Sequence, residues 1–459
     1  MKTSGAIINA IIVTVDAQRR VLTDAGILWK DGIITDIASS AEIARAAEEA
    51  GLKAKDAKGA IVFPGLINTH NHIFQHLLKG LGTDMNLEDW WPTVIGPAGV
   101  NLREQHLRAA VMGASLEALR TGCTTIVDYM QVHPVKGLSA VELEAAKESG
   151  IRLMYGRGFR DGGKSNVFSQ KGLSEDLQSV FDEVAELDRL YSTEDHLRRV
   201  FLAPASPPAL SLEGLTATAN FAKSANIPVT MHVFETGSDD RVCLERDGLT
   251  TIDYLDKAGM LQPNFLAVHC VQVDEDIIAR FKKNGVKVSH NPLSNMYLAS
   301  GVAPVPAYRK AGVTVSLGTD GAASNNSNNM LEVLKSTALL HKVASGDPQA
   351  VSAPEVLEMA TMGGARAIGL ENELGSLEAG KRADLFVFDP LKSPTCCPMF
   401  DPVSTLVYSS DSRGVTMTVV NGRVLLEDDR FVHVNEEEVL REEQRQARDL
   451  AAKTGFSGV

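Results

Sequence analysis

Cysteine is scarce in this chain. Five cysteines in 459 residues (Cys123, Cys243, Cys270, Cys396 and Cys397) are too few, and odd in number, for a disulfide framework, which points to a reducing cytoplasm. No segment approaches the roughly 18 unbroken apolar residues of a membrane helix. The opening Met1-Lys2-Thr3-Ser4-Gly5-Ala6 lacks a charged stretch followed by a long apolar one, so no signal peptide is expected. Positive charge is not in excess either. A net charge of −13 argues against a nucleic-acid or anionic-membrane surface. What is present, 44% apolar and 22% charged residues, suits one large α/β barrel with a small companion domain.

The two ends of the chain share a texture. Residues 6–15 and 25–34 are β-branched runs punctuated by Asp31-Gly32, and residues 381–389 and 415–424 run or alternate apolar before a turn. We read them as one small β domain built from residues 1–62 and 371–434, followed by a charged surface helix within 435–459. Between them, strand-like runs at 60–67, 124–128, 152–156, 200–204, 228–232, 265–269, 286–290 and 313–320 alternate with helical stretches such as 104–121 and 173–190. Eight such units predict a closed parallel (β/α)8 TIM barrel over 63–370, with its active site at the C-terminal strand ends.

The chemistry begins at Asn68-Thr69-His70-Asn71-His72. Residues i and i+2 of a strand share a side, so both imidazoles leave one strand end together as a chelating pair. His232, Glu235, His269, His290 and Asp320 each sit at or just beyond the end of a later run, spaced by about one βα unit. His70, His72, His232 and Asp320 offer nitrogen and carboxylate donors suited to zinc, iron(II) or another divalent first-row ion with a position open for water. Such an ion brings bound water to a pKa of about 7. Glu235, three residues past His232, is the expected proton shuttle. His269 is expected to position the attacking oxygen or stabilise developing charge, and His290 to assist it or line the cavity. On the substrate side, Gln75 can read a ring nitrogen or carbonyl, Trp90 and Trp91 can stack on a flat heterocycle, and Arg157, at the third strand's expected end, can read an oxo group.

Pro64-Gly65-Leu66-Ile67-Asn68-Thr69-His70-Asn71-His72, His232-Val233-Phe234-Glu235, Val268-His269-Cys270, Ser289-His290-Asn291-Pro292 and Gly318-Thr319-Asp320-Gly321 together resemble the amidohydrolase superfamily, in its cytosine deaminase and triazine chlorohydrolase branch. Gly375-Ser376-Leu377-Glu378-Ala379-Gly380-Lys381-Arg382-Ala383-Asp384 resembles that family's return into its small β domain. The resemblance spans nearly the whole chain. It implies a (β/α)8 barrel with a β-sandwich from both termini, one divalent metal on His70, His72, His232 and Asp320, and a homo-oligomer. Relatives with two metals use a carboxylated lysine on the fourth barrel strand; here that strand reads Val200-Phe201-Leu202-Ala203-Pro204-Ala205-Ser206-Pro207, without lysine, which favours a single ion. Adenosine-type deaminases of the group carry Gly-Pro-His on that strand and a glutamate after His-x-x-Glu-Thr. This chain has neither, and both departures weigh against an adenosine or thioadenosine substrate. The unrelated deaminases of the His-x-Glu and Pro-Cys-x-x-Cys type are excluded, since neither motif occurs.

The function expected is hydrolytic deamination of a small nitrogen heteroaromatic, such as an oxopurine, pterin or s-triazine, with release of ammonia. A triazine hydrolase removing chloride or alkylamine is the alternative. A non-catalytic scaffold is a remoter one, whose signature would be lost metal ligands; none of the expected ligands is missing.

Overall fold

The computed structural model describes residues 3–161 and 173–455. At its N-terminal end β1 (Gly5–Val13), β2 (Val21–Lys30) and β3 (Ile33–Ser39) form an antiparallel meander, and the short β4 (Lys55–Asp56) and β5 (Ile61–Pro64) run parallel to β1. The β2–β3 link is the two-residue turn Asp31-Gly32, with φ of 51° and 83°, the paired positive values that tight hairpins need.

The apolar run 60–67 is two strands belonging to two sheets. β5 stays in the small domain, and β6 (Leu66–Asn71) opens the barrel. Gly65 makes the break, pressed so closely on Thr124 that a Cβ there would lie 2.1 Å from its Oγ1. The barrel continues through β7 (Cys123–Met130), β8 (Arg152–Phe159), β9 (Arg198–Pro204), β10 (Val229–Val233), β11 (Phe265–His269), β12 (Lys287–His290) and β13 (Val315–Leu317), each parallel to the strand before it. Helices such as Glu104–Arg120, Leu177–Tyr191 and Met330–Ser345 lie between them. The seam between β13 and β6 is fastened by the residues around the first histidine pair. Asp320 N donates to His70 O (3.0 Å), the Thr69 hydroxyl to Leu317 O (3.0 Å) and Thr319 N to the Asn68 side chain (3.0 Å). Ile368, Leu370 and Leu374 pack with Ile67, Val127, Met154 and Phe201 in a separate apolar cluster of the barrel.

The chain then returns. β14 (Leu385–Phe388) pairs antiparallel with β5 and with β15 (Val415–Val420), followed by β16 (Arg423–Glu427) and β17 (Arg430–Phe431). Both chain ends thus build one nine-stranded sheet with its own core, centred on Ile7, Ile27, Trp29, Val62, Leu385 and Val419. The Trp29 indole N–H donates across it to Gly422 O (3.0 Å). The helix Glu436–Thr454 docks on the barrel through Arg120–Glu436 (2.5 Å), His106–Asp449 (2.7 Å) and His76–Glu443. All five cysteines are unpaired. Among the described residues no helix is long and apolar enough to cross a membrane.

One ion pair ties the barrel to the small domain. Arg152, fully buried on β8, donates to both carboxylate oxygens of Asp384 (2.9 and 3.2 Å) and to Asp195 O (2.8 Å). The gross attraction is offset by desolvation, but removing one partner strands the other charge. Asp384→Ala should therefore destabilise the protein by about 3–5 kcal/mol, read as a lower urea midpoint. Arg441→Ala, which breaks an exposed pair with Glu437, should leave the midpoint in place. Equal midpoints for the two variants would show that the buried pair does not hold the domains together.

Candidate metal centre and active site

Strand ends bring four donors to one point. His70 and His72 leave the end of β6, His232 lies on β10 and Asp320 follows β13. The Nε2 atoms of His72 and His232 are 3.1 Å apart, and those of His232 and His70 3.3 Å. Asp320 Oδ1 lies 3.2 Å from His70 Nε2 and 3.4 Å from His72 Nε2. Ligand atoms of His70, His232 and His269 also lie within 4.8 Å of one another, which puts a fifth donor at the edge of the cluster.

The hydrogen bonds decide what this cluster can hold. His72 Nδ1–H donates to Tyr129 O (2.7 Å), and His232 Nδ1–H to Ala205 O (3.0 Å). A carbonyl only accepts, so each Nδ1 carries the proton and each Nε2 is left with a lone pair. Burial drives these rings neutral: it pulls His70 down to about 4, His72 to about 3 and His232 well below the ordinary histidine value. Two lone pairs facing each other at 3.1 Å repel unless a cation sits between them. The donor set therefore fits a divalent metal, with second-sphere carbonyls fixing the rings as metal sites require. Asp320 is braced to serve as an anion. Its Oδ2 accepts from Ser294 (2.5 Å) and Ser324 (3.0 Å), and its Oδ1 from Gly321 N (2.7 Å). Burial works against its charge, but the neighbouring histidines, His70 first, hold it well below the usual carboxylate range.

Beside the donors stands a second pair. Glu235 Oε2 is 3.4 Å from His269 Nε2, while Glu235 Oε1 accepts from Ser300 (3.1 Å) and His269 Nδ1–H donates to the Asn295 side chain (2.9 Å). Burial pushes Glu235 above the usual carboxylate range, against the pull of His269. The backbone here is unusual: Phe234, His269, Cys270 and Asp320 all have φ between 50° and 70°, a left-handed conformation that side-chain-bearing residues rarely adopt.

A cavity opens over these groups, lined among others by His72, His232, Glu235, His269 and Asp320. Gln75, Trp90 and Trp91 line it as well; Gln75 Oε1 and Trp90 Nε1 are buried there without a hydrogen-bond partner among the described residues. Arg157 and His290 are placed elsewhere. β8 runs on to Phe159, past the expected end at 156, so alternation turns Arg157 outward to Glu175 (2.6 Å) and Glu183 (2.8 Å). Arg160, three residues on, takes the inward place, its guanidinium 5.1 Å from the Trp91 ring. On β12, Ser289 reaches Thr69 across the barrel (2.8 Å), and His290 points the other way, 3.1 Å from His341 of the helix Met330–Ser345. Gln131, Ser206 and Asp239 also line the cavity and carry no sequence motif of their own. The signal that reaches them is strand length: each follows a barrel strand by a few residues.

Known proteins share this architecture. The family described as the amidohydrolase family matches residues 61–425. A protein of Methanosarcina acetivorans named 5'-deoxyadenosine deaminase is 35% identical over 448 residues, 97% of this chain and 98% of its own length. One of Syntrophobacter fumaroxidans, named 5-methylthioadenosine/S-adenosylhomocysteine deaminase, is 34% identical over 97% of this chain and 98% of its own. An adenosine deaminase from Xanthomonas campestris, solved with bound zinc, superimposes with a TM-score of 0.89 at 26% identity, covering 97% of this chain and 98% of that one. An atrazine chlorohydrolase mutant from Arthrobacter aurescens, complexed with zinc and atraton, gives 0.90 at 27% identity, covering 96% and 99%.

The donor geometry makes a direct prediction. His70→Ala and His232→Ala should each lower bound zinc in protein purified without added metal, because one of four donors is lost. His290→Ala should keep it, since that ring faces His341. Zinc retained in full by the first two variants would break the ligand assignment.

Proposed function

The chain belongs to the amidohydrolase family and is a hydrolase acting on carbon–nitrogen bonds in cyclic amidines; from that premise we propose that it removes the 6-amino group of an adenine nucleoside altered at its 5′ position, releasing ammonia. The observation that carries the hydrolytic reading is the Glu235–His269 pair, 3.4 Å apart beside the four-donor cluster. The nucleoside reading is supported by the names of relatives matched over almost their whole length. It replaces the oxopurine, pterin or s-triazine expected from the sequence. One of the departures that weighed against adenosine is milder in space than in the sequence. Asp239 supplies a buried carboxylate at the start of the helix after Glu235, lining the cavity. The other stands: Ala205 and Ser206 form the wall after β9 where adenosine-type deaminases carry their histidine.

One divalent ion per chain, zinc in our reading, held by His70, His72, His232 and Asp320, would supply Lewis-acid activation of water. The chain's own groups do the rest. Glu235, whose carboxyl burial pushes above the usual carboxylate range, gives a proton to a ring nitrogen as water oxygen adds to the adjacent ring carbon. Asp320 takes the proton released by that water and returns it to the departing amino group. His269, fixed by Asn295, turns Nε2 toward the same place and orients the attacking oxygen. The cavity-lining Trp90, Trp91 and Gln75 are assigned to hold the base. The negative net charge weighs against a nucleic-acid or anionic-membrane partner, and the five unpaired cysteines support a reducing compartment.

A panel of 5'-deoxyadenosine, 5'-methylthioadenosine, adenosine, guanine, pterin, cytosine and chloro- and alkylamino-triazines tests the substrate. The highest kcat/KM for ammonia release is expected on a 5′-modified adenosine. Chloride or alkylamine release from a triazine above all of these would favour the triazine hydrolase reading, and no turnover of any member by zinc-loaded protein would favour the scaffold. Glu235→Gln should keep its zinc and lose about two to four orders of magnitude in turnover. Turnover within a few-fold of wild type would remove Glu235 from the mechanism.

A further inference from the structure

Between the donor His232 and the acid Glu235 lies Phe234, and its backbone is the hinge on which Glu235 is aimed. Phe234 has φ of 57°, in the left-handed region that a bulky residue avoids unless its surroundings impose it. Three hydrogen bonds impose it here. Its carbonyl accepts from Val271 N (2.9 Å) and Gln272 N (2.8 Å), and its amide donates to Asp239 Oδ2 (2.6 Å). The partner turn is bent the same way: His269 and Cys270 have φ of 70° and 50°, and Cys270 N donates to Val233 O (3.0 Å). The ends of β10 and β11 are thus cross-braced, and each presents one member of the Glu235–His269 pair.

Two sides of this brace are main chain and survive any substitution that leaves the fold intact. The third is a side chain. Asp239 is 6% exposed, sits at the start of the helix Ser238–Asp247 and lines the cavity without belonging to the donor cluster. Its neighbour Asp240 does something different, accepting from Thr251 N (2.7 Å) to join two helices.

We propose that Asp239 is a positioning residue for the proton shuttle: by accepting the Phe234 amide it holds the left-handed hinge closed and aims the Glu235 carboxyl at His269 and the reacting ring. The proposal rests on the reading of Glu235 as the acid, and it predicts that the Asp239 side chain matters only through that residue. Loss of the bond frees Phe234 to relax toward ordinary strand backbone, which swings Glu235 away from His269.

Zinc-loaded full-length protein tests it. Asp239→Ala should keep its zinc and its KM for 5'-deoxyadenosine while kcat falls by about 10–100-fold, the cost of a misplaced catalytic group. Asp239→Asn, which retains an oxygen acceptor, should recover most of that loss. In a Glu235→Gln background, Asp239→Ala should cost nothing further. A crystal structure of zinc-loaded Asp239→Ala should show Glu235 drawn away from His269. An unmoved Glu235, an equal kcat loss in the Asn variant, or a full additional loss in the double variant would each overturn the proposal. If Glu235→Gln alone retains turnover, the acid assignment itself fails, and the crystal structure still reports whether Asp239 sets the position of Glu235.

Discussion

Everything at this site depends on one electrostatic constraint: neutral nitrogen lone pairs and one carboxylate are forced to face each other at little more than 3 Å in a buried place. Tyr129 O and Ala205 O fix the tautomers of His72 and His232, so these two rings have no proton to share across the gap. The facing His72 and His232 lone pairs repel each other and are satisfied by a divalent cation between them. The serines around Asp320 and the Gly321 amide serve the same end by stabilising charge on the one anionic donor.

The barrel makes the constraint possible. Its first and last strands are fastened by Asn68, Thr69 and Asp320 N, the neighbours of the donors, so the seam and the site are one structure. The left-handed backbone at Phe234, His269, Cys270 and Asp320 concentrates strain where strands end and chemistry begins. The buried Arg152–Asp384 pair and the two-ended sheet fix the base of β8 against the small domain. His70, His232 and His269 stand at the ends of β6, β10 and β11, and His72, Glu235 and Asp320 just past β6, β10 and β13.

Much of this was legible in the sequence. The alternation of strands and helices, the matching texture of the chain ends and the placement of His70, His72, His232, Glu235, His269 and Asp320 at strand ends all follow from periodicity and spacing. Parity was less legible, because it depends on where a strand stops. Reading β8 as ending at 156 made Arg157 the inward arginine; three further strand residues hand that place to Arg160. The same alternation turns His290 toward His341. The run 60–67 has no polar break to mark its division between two sheets; the Pro64-Gly65 step is its sign in the sequence, and strand pairing reveals it. Substrate choice was least legible, since the cavity wall beyond the strand ends includes Gln131, Arg160 and Ser206, which come from separate parts of the chain and form no motif.

The central claim is that His70, His72, His232 and Asp320 form a single metal site. Anomalous scattering at the zinc absorption edge, from crystals of protein loaded with zinc, tests it most directly. One peak per chain is expected, about 2.0–2.2 Å from the Nε2 atoms of the three histidines and from an Asp320 oxygen. No peak among these residues, or two, would contradict it.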